Sequence, residues 1–212
     1  MTEGTVLILA SGSPRRRELL DLLGVPFRVV RSEVEERLSP RERPADFVRR
    51  MALRKAGEVA RDIPDAWTLG ADTIVVLDGE VLGKPADEAD ALAMLVKLSG
   101  REHIVYTGVA LVHRESGYAK SGCETTRVTF RAFSAEEARA YVKTGEPMDK
   151  AGAYGAQAVG TLLIERIDGS YTNVVGLPLT LVIDLLDEAG LVDVAGVDGK
   201  MYALRRREDP TS

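Results

Sequence analysis

The residues most able to do chemistry in this chain surround a carboxylate in an apolar strand. Residues 69–85 (LGADTIVVLDGEVLGKP) contain a β-branched run, an Asp-Gly pair and a second apolar run, which predict a β-hairpin. Strand alternation places Asp72 on the same face as Ile74. An ionised carboxylate there needs an ion pair, hydrogen bonds or a metal, and Lys84 is one candidate partner. Asp72 could instead open the strand at the surface and accept only backbone hydrogen bonds.

A group of cations lies where a helix is predicted to begin. Residues 11–17 (SGSPRRR) follow the short apolar run 6–10 and precede the amphipathic segment 18–24, which predicts a strand, a loop and a helix. Arginines in a first helical turn face the positive end of the helix dipole, at a cost of roughly 0.3–1 kcal/mol each. This placement favours a site for phosphate or another anion, although a solvated basic turn paired with Glu residues is the alternative. Neither a Walker A loop nor a G-x-G-x-x-G fingerprint occurs.

Two further features have both a functional and a structural interpretation. The carboxylates of residues 32–36 (SEVEE) could hold a hard divalent cation or could simply be solvated. The segment from Pro44 to Asp62 predicts an amphipathic helix with Lys55 in the apolar register. The Lys55 ammonium could extend to the edge of the core, or it could point into a polar pocket and contact phosphate. We interpret the two histidines, which lack zinc-site spacing, as structural.

The remaining elements alternate between helices and strands. The patterns predict a helix over 87–98, strands over 103–113 and 118–133, and a helix from the capping box 134–137 to about 145. They then predict a hairpin of 161–167 with 170–175, a helix from 176–178 through 186, and an extra strand in the tail. The loop 149–160 is rich in glycine and alanine, which permits close approach of a flat ligand or another backbone. Together these elements predict an α/β fold with a mixed sheet. We expect two lobes whose cleft gathers loop 11–17, the Asp72 hairpin and loop 149–160.

Composition limits the classes of partner. The chain has 212 residues, 45% hydrophobic and 29% charged, and a net charge of −5, so we expect a globular protein that does not bind nucleic acid or anionic membranes generally. A nucleic-acid-binding module would use the arginines at 15–17 and 205–207, but the acidic net charge and the 5% of aromatic residues, too few for an obvious base-stacking platform, argue against it. A single cysteine fits a reducing compartment. No apolar run has the length of a membrane span and the N-terminus lacks signal-peptide flanks, so the expected location is the cytoplasm.

Taken together, the motifs resemble the Maf family of nucleoside triphosphate pyrophosphatases. The matching segments, in family order, are 11–16 (SGSPRR), 32–36 (SEVEE), Lys55, 70–73 (GADT), 83–85 (GKP), 107–108 (TG), 149–155 (DKAGAYG) with Gln157, and 175–178 (VGLP). The resemblance implies one elongated, two-lobed domain over residues 1–190, with a twisted mixed sheet flanked by helices as in inosine triphosphatases. Residues 191–212 are an extension outside the resemblance.

The resemblance also implies an activity. The enzyme would hydrolyse a nucleoside triphosphate between the α and β phosphates, with a metal ion, usually as a homodimer. DKAGAYG followed by glutamine resembles the branch acting on dTTP and UTP, although Ala156 and Ala158 depart from the residues that often flank that glutamine. Base selection would involve Arg15, Thr73 and Gln157. A nucleotide-binding regulator of cell division, without essential turnover, is the rival hypothesis.

These implications assign a role to each candidate residue. Asp72 would act as general base, with Lys55 and Lys84 completing the catalytic set. The expected Mg²⁺ or Mn²⁺ ligands are Glu35, Glu36 and Asp72. The substrate phosphates would be bound by Arg15, Arg16, Lys55, Lys84 and Ser11.

Overall fold

The computed structural model describes residues 6–35, 37, 39, 41–197 and 200–205. In chain order the elements are β1 (Leu7–Ala10), α1 (Pro14–Asp21), β2 (Arg28–Val29), α2 (Pro44–Asp62), β3 (Trp67–Leu77), β4 (Glu80–Leu82), α3 (Glu88–Leu98), β5 (Glu102–His113), β6 (Tyr118–Phe130), α4 (Ala135–Val142), β7 (Ile164–Asp168), α5 (Tyr171–Val175), α6 (Leu179–Glu188), β8 (Val192–Val197) and β9 (Lys200–Leu204). Short 3₁₀ turns occupy Glu146–Asp149, Ala151–Ala153 and Val159–Leu163. Within these residues, no helix is long and apolar enough to cross a bilayer.

Seven strands form one mixed sheet in the order β2-β1-β3-β5-β6-β7, with β4 added to β3. Strand β1 runs parallel to β2 and β3, and the other pairs in this sheet are antiparallel. This architecture confirms the mixed α/β sheet flanked by helices. The turn at Asp78-Gly79, where both residues have positive φ, joins β3 to β4 as the sequence indicates.

The two edges of β3 are paired differently. One edge pairs continuously with β5, from Trp67 to Val76. The other edge pairs with β1 only as far as Gly70 and with β4 only from Val75 onward. Residues 71–74 therefore lie beside a gap between the end of β1 and β4. Because the gap exposes the strand edge, side chains from both faces of β3 can reach the same space.

One face of the sheet is covered by α2. Phe47 and Met51 of this helix pack with Ile74 and Val76 of β3. The helix also touches the sheet by its backbone, because a side chain at Gly70 or Gly108 would collide with main-chain atoms of α2. These two glycines allow the helix axis to lie close to β3 and β5.

The opposite face carries two separate apolar clusters. The first joins α1 and α6 to the strand residues Leu9, Leu69 and Leu111. The second joins α3, α4 and the 3₁₀ turns to Val75 and Val105. Between the two clusters this face bears Thr73 and Thr107, which form a register pair on β3 and β5. This division corresponds to the two expected lobes, with polar residues at their junction.

One predicted hairpin is wrong. Residues 170–175 form a cap and helix α5 rather than a strand, and residues 159–163 form a 3₁₀ turn before β7. The Ser170 side chain accepts a hydrogen bond from the Asn173 N–H, and Gly176 ends the helix with φ 117°. These capping interactions outweigh the strand preference of the β-branched residues in this segment.

The C-terminal segment differs from the single predicted strand. Strands β8 and β9 form a separate antiparallel pair. Val192 is buried in the cluster around α1 and α6, and Tyr202 and Leu204 pack against it partly buried. This hairpin is therefore attached to the first lobe, although its sequence lies outside the resemblance. Arg206 and Arg207 of the basic tail motif lie outside the described residues.

Smaller differences occur at element ends. Helix α1 ends at Asp21, three residues before Gly24. Strand β6 ends at Phe130 rather than at 133, while β3 begins at Trp67. By contrast, α2 has its predicted bounds and the capping box at Ser134 and Glu137 is confirmed.

Candidate active site

The gap beside β3 opens into a cavity of about 460 Å³. Its walls come from loop 11–16, residues 72–75 of β3, the Gly83-Lys84 pair, residues 149–156 and residues 174–176. The predicted gathering of the N-terminal loop, the Asp72 hairpin and loop 149–160 is thereby confirmed. Charged side chains from six segments meet at this position, among them Arg15, Arg31, Lys55, Asp72, Lys84 and Lys150.

A buried ion pair lies on the α2 side of the cavity. Asp72 is 2% exposed, and Lys55 Nζ lies 2.6 Å from its Oδ1 atom. Lys55 projects from α2 because its register faces β3 at this position. Asp72 is therefore buried and does not open the strand at the surface. Its ion-pair partner is Lys55 rather than Lys84, the candidate considered from the sequence. Lys84 lies on the cavity wall with an exposed side chain, so its ammonium is accessible to a ligand.

Arg16 connects three walls of the cavity. Its Nε donates to the Gly176 carbonyl at 2.8 Å, Nη1 donates to the Ala71 carbonyl at 2.9 Å, and Nη2 donates to Thr73 Oγ1 at 3.0 Å. Nη1 also lies 3.5 Å from Ser11 Oγ. These bonds fix the planar guanidinium against α1, β3 and the turn after α5, so Arg16 holds the walls together as well as contributing positive charge.

The other arginines of the basic run have different surroundings. Arg15 lines the cavity and its Nη1 donates to Asp149 Oδ2 at 2.8 Å, which links loop 11–16 to loop 149–156. Lys150 donates to the same carboxylate, on Oδ1 at 2.7 Å. Partial burial works to raise the pKa of Asp149, but the hydrogen bonds from Lys150 and Arg15 hold that pKa below its ordinary value. Arg17 is exposed and lies 4.0 Å from Asp21, so the three arginines do not act as one group.

A row of polar groups continues from Arg16 below the cavity. Thr73 Oγ1 lies 3.0 Å from Thr107 Oγ1, and Thr107 Oγ1 lies 3.1 Å from the Asn173 carbonyl oxygen. The Asn173 side-chain amide donates to Thr126 Oγ1 and to the Val105 carbonyl. Thr107 and Asn173 are fully buried. Sequence reasoning assigned no role to either residue, although an asparagine among valines after a capping serine is a signal of a buried polar contact.

Glu146 and Tyr141 hold the glycine-rich loop in place. The Tyr141 hydroxyl donates to Glu146 Oε1 at 3.0 Å and accepts from the Gly155 N–H at 3.1 Å. Glu146 Oε2 accepts from the Val159 N–H at 3.0 Å. Burial raises the pKa of Tyr141 above its ordinary value, which keeps its hydroxyl protonated. Gln157, by contrast, is exposed and lies outside the cavity lining, to which its neighbour Ala156 belongs.

Both histidines have hydrogen-bond partners inside the fold. His103 Nε2 lies 2.8 Å from the Tyr154 hydroxyl, and Tyr154 contributes to the cavity wall. Burial lowers the pKa of His103 to about 4, so this ring is neutral near pH 7. His113 contacts Ser116 Oγ at 2.8 Å. These contacts fit the structural roles expected for both residues.

The structure describes two of the three carboxylates expected to bind a metal ion, and these two, Glu35 and Asp72, have different surroundings. In the part of the chain that the structure describes, no group of three or more His, Cys, Asp or Glu residues could hold a metal ion. Glu35 is exposed and forms an ion pair of 2.8 Å with Arg37, while Glu36 lies outside the described residues. Segment 32–34 is attached to α2, because Glu58 Oε2 accepts from Ser32 Oγ at 2.5 Å and from the Glu33 N–H at 2.8 Å.

Asp72 nevertheless fits a metal site of the kind found with nucleotides. Mg²⁺ is usually held by one or two carboxylates together with substrate phosphate oxygens, rather than by a complete cage of protein ligands. Asp72 lines the cavity beside several cations that can bind phosphate. The arrangement therefore provides a carboxylate that can accept a proton or bind a cation, surrounded by donors for a polyanionic ligand.

Comparisons with known proteins agree with this geometry. The family model described as "Maf-like protein" matches residues 6–189. A protein named dTTP/UTP pyrophosphatase from Symbiobacterium thermophilum is 54% identical over 184 residues, which is 87% of this chain and 94% of the relative. The protein of the same name from Desulfotalea psychrophila is 49% identical over 180 residues, or 85% of this chain and 92% of the relative.

Among solved structures, the Staphylococcus aureus Ham1 protein shares the fold at low sequence similarity. The two chains are 14% identical, with a TM-score of 0.50, and the match covers 87% of this chain and 97% of the other. At this identity the likeness concerns the arrangement of helices and strands alone.

Proposed function

This chain belongs to the Maf-like protein family, and on that premise we propose that it is a nucleoside triphosphate pyrophosphatase that hydrolyses dTTP and UTP. Two relatives with this activity in their names are about half identical to it over most of both chains. The structural observation that carries the proposal is the buried Lys55–Asp72 pair beside a cavity that is lined by additional cations.

In the proposed mechanism, Asp72 accepts a proton from the attacking water. The water oxygen forms a bond to the α-phosphorus, and the bond from that phosphorus to the bridging oxygen of the β-phosphate breaks. The products are the nucleoside monophosphate and pyrophosphate. Lys55 holds Asp72 Oδ1 by its hydrogen bond of 2.6 Å, so the carboxylate has a fixed direction and remains suited to proton transfer.

The cations have separate proposed tasks. Lys84, Lys150 and Arg15 would bind phosphate oxygens and stabilise the charge that develops on the leaving pyrophosphate. Asp149 bridges Arg15 and Lys150, so a triphosphate would compete with this carboxylate for both groups. Arg16 and Ser11 would complete the substrate-binding wall. We also retain Thr73 and Gln157 as residues proposed to influence base selection.

We propose a requirement for Mg²⁺ or Mn²⁺. Asp72 and the substrate phosphates would hold the ion, with Glu35 and Glu36 as the further candidates from segment 32–36. When bound, such an ion neutralises phosphate charge and lowers the pKa of a coordinated water. Glu58 supports this arrangement by attaching segment 32–34 to α2; its hydrogen bond from Ser32 lowers the pKa of Glu58, which stays ionised.

The assembly and location are also proposals. A homodimer follows from the family resemblance and is tested by light scattering of the purified protein. The cytoplasm is supported by the single cysteine, Cys123, which leaves the chain without an internal disulfide.

The proposed activity is tested by measuring pyrophosphate release. Native protein and Asp72→Asn are compared on UTP, dTTP, CTP and GTP, with Mg²⁺, with Mn²⁺ and with a chelator. We expect metal-dependent release from UTP and dTTP that disappears in the variant. Tight binding of nucleotides by the native protein without release from any of them would contradict the proposal and favour a regulatory role.

A further inference from the structure

Thr107 lies at the centre of the buried row of hydrogen bonds below the cavity. The row consists of Arg16 Nη2 to Thr73 Oγ1 at 3.0 Å, Thr73 Oγ1 to Thr107 Oγ1 at 3.0 Å, and Thr107 Oγ1 to the Asn173 carbonyl at 3.1 Å. Thr107 is 0% exposed, so solvent water cannot replace its two partners, Thr73 and the Asn173 carbonyl.

The two ends of the row determine the direction of every proton in it. A guanidinium group only donates and a carbonyl oxygen only accepts. Thr107 therefore gives its proton to the Asn173 carbonyl, and Thr73 gives its proton to Thr107. The other acceptor near Thr73 is the Gly176 carbonyl at 3.5 Å, which is too distant for a strong O–H···O bond.

This direction defines what Thr73 offers to a ligand. Its oxygen accepts one hydrogen bond from Arg16, and its proton is engaged with Thr107. One lone pair is left, and Thr73 is partly exposed on the cavity wall. Thr73 can therefore accept a hydrogen bond from a ligand but cannot donate one without breaking the row.

The surroundings of Thr73 suit a flat base. Val75 on the same strand face, its register partner Val105, and Val174 and Val175 of α5 all line the cavity. Uracil and thymine carry an N–H between their two carbonyls. Cytosine has a hydrogen-bond acceptor at the same ring nitrogen.

We propose that Thr107 is a positioning residue that keeps Thr73 a hydrogen-bond acceptor and thereby selects uracil and thymine over cytosine. The inference rests on the proposed function and gives that function a physical basis for base selection. A site that meets cytosine with an acceptor leaves two acceptors facing each other, which is unfavourable because neither group has a proton to donate. Thr107 itself touches no substrate and acts through Thr73.

The test compares two threonine substitutions of the same shape. Thr107→Val removes the central hydroxyl and frees the Thr73 proton to turn toward the cavity. Thr68→Val is the matched control, because Thr68 is also fully buried on the central sheet and its Oγ1 has no hydrogen-bond partner. We measure kcat/KM for UTP and CTP, together with the melting temperature of each variant.

We expect the UTP-to-CTP ratio of kcat/KM to fall about tenfold in Thr107→Val. Thr68→Val and Thr107→Ser, which retains the hydroxyl, keep the native ratio. A folded Thr107→Val protein with the native ratio and a lower melting temperature would show that Thr107 is only structural, and overturn the inference. If Thr107→Val does not fold, Thr107→Cys is the deciding variant, because a thiol is only a weak hydrogen-bond donor and acceptor. A reduced UTP-to-CTP ratio of kcat/KM in Thr107→Cys would support the inference, and the native ratio would overturn it.

The native protein separates this inference from the proposed function. Equal hydrolysis of UTP and CTP would leave the pyrophosphatase intact and overturn the role of Thr107. Absence of pyrophosphate release from both UTP and dTTP would remove the proposed function and this inference with it.

Discussion

Asp72 and Thr73 are neighbours in β3, yet they present opposite chemistry on the two faces of the sheet. On the α2 face, Asp72 forms a buried ion pair with Lys55. On the other face, Thr73 belongs to a row of hydrogen bonds that reaches Asn173 through Thr107. The charge of Asp72 is balanced by the Lys55 counterion. The row on the other face consists of neutral hydroxyl and carbonyl groups, with the charged Arg16 at one end.

The comparison shows how one strand can serve two tasks. A buried carboxylate that acts as proton acceptor must be held ionised, and the ion pair with Lys55 provides the counterion for this. Recognition of a base needs a donor or acceptor whose direction is fixed, and the hydroxyl row provides that. Both faces reach one cavity because residues 71–74 lie beside the gap between β1 and β4.

The largest expected effect concerns the charged face. Asp72→Asn keeps the shape of the side chain but removes the proton acceptor, so we expect kcat for UTP to fall about 10³-fold. Circular dichroism should show an unchanged fold. Normal turnover by a folded variant would show that Asp72 is not the proton acceptor, and the proposed division of tasks between the two faces would be wrong.

Loss of stability should distinguish the two lysines of the predicted catalytic set. Lys55→Met leaves a buried carboxylate without its counterion, and we expect the free energy of unfolding to fall by roughly 3–5 kcal/mol. Lys84→Met is the matched control, because Lys84 is exposed and its loss should raise KM with little effect on stability. Urea unfolding of both variants measures this difference. Equal losses would contradict the assignment of Lys55 as the structural partner of Asp72.

Acid should lower the free energy of unfolding through His103, which lies four residues before Thr107 on β5. Its pKa is about 4 in the folded protein and about 6.5 when unfolded, so the unfolded state binds more protons between these values. Stability is therefore full above pH 6.5 and decreases as the pH falls toward 4, by about 3 kcal/mol in total.

His103→Gln isolates this contribution. The variant has no titrating ring at this position, so its stability should change less between pH 6.5 and 4 than that of the native protein. Urea unfolding at intervals of pH measures both curves. Parallel curves would show that His103 is not the group responsible.

The smallest effect is expected at Thr73. Thr73→Val removes the acceptor for the base, and we expect kcat/KM for UTP to fall about tenfold. The pH dependence of kcat should stay native, because the proposed proton acceptor lies on the other face. A displaced pH profile would show that the two faces are coupled.

The sequence predicted the position of Asp72 but not its partner. Strand alternation is a local property, so the face that carries Asp72 follows from the residues beside it. Pairing with Lys55 depends on where α2 crosses the sheet, which is a property of the tertiary fold. Lys84, which is closer to Asp72 in sequence and on the same hairpin, is therefore the candidate that the sequence favours, although its side chain is exposed in the structure.

The same limit explains the residues that sequence reasoning missed. Threonine is common in strands whether its hydroxyl is buried or exposed, so its presence in a strand does not indicate a role. The role of Thr107 depends on which segment packs against its hydroxyl. That segment, 170–175, was predicted as a strand, and only as a helix does it turn the Asn173 carbonyl toward Thr107. Asp149 belongs to a recognised motif, but its hydrogen bond from Arg15 crosses 134 positions of sequence.

The backbone contact of α2 with Gly70 and Gly108 has a consequence for how this sequence can change. The separation between helix and sheet is set there by main-chain atoms and not by the size of core side chains. Substitutions at Phe47 or Met51 can then alter the melting temperature while the Lys55–Asp72 distance is preserved. A mutagenesis library that keeps these two glycines can vary the hydrophobic layer widely and still retain active members.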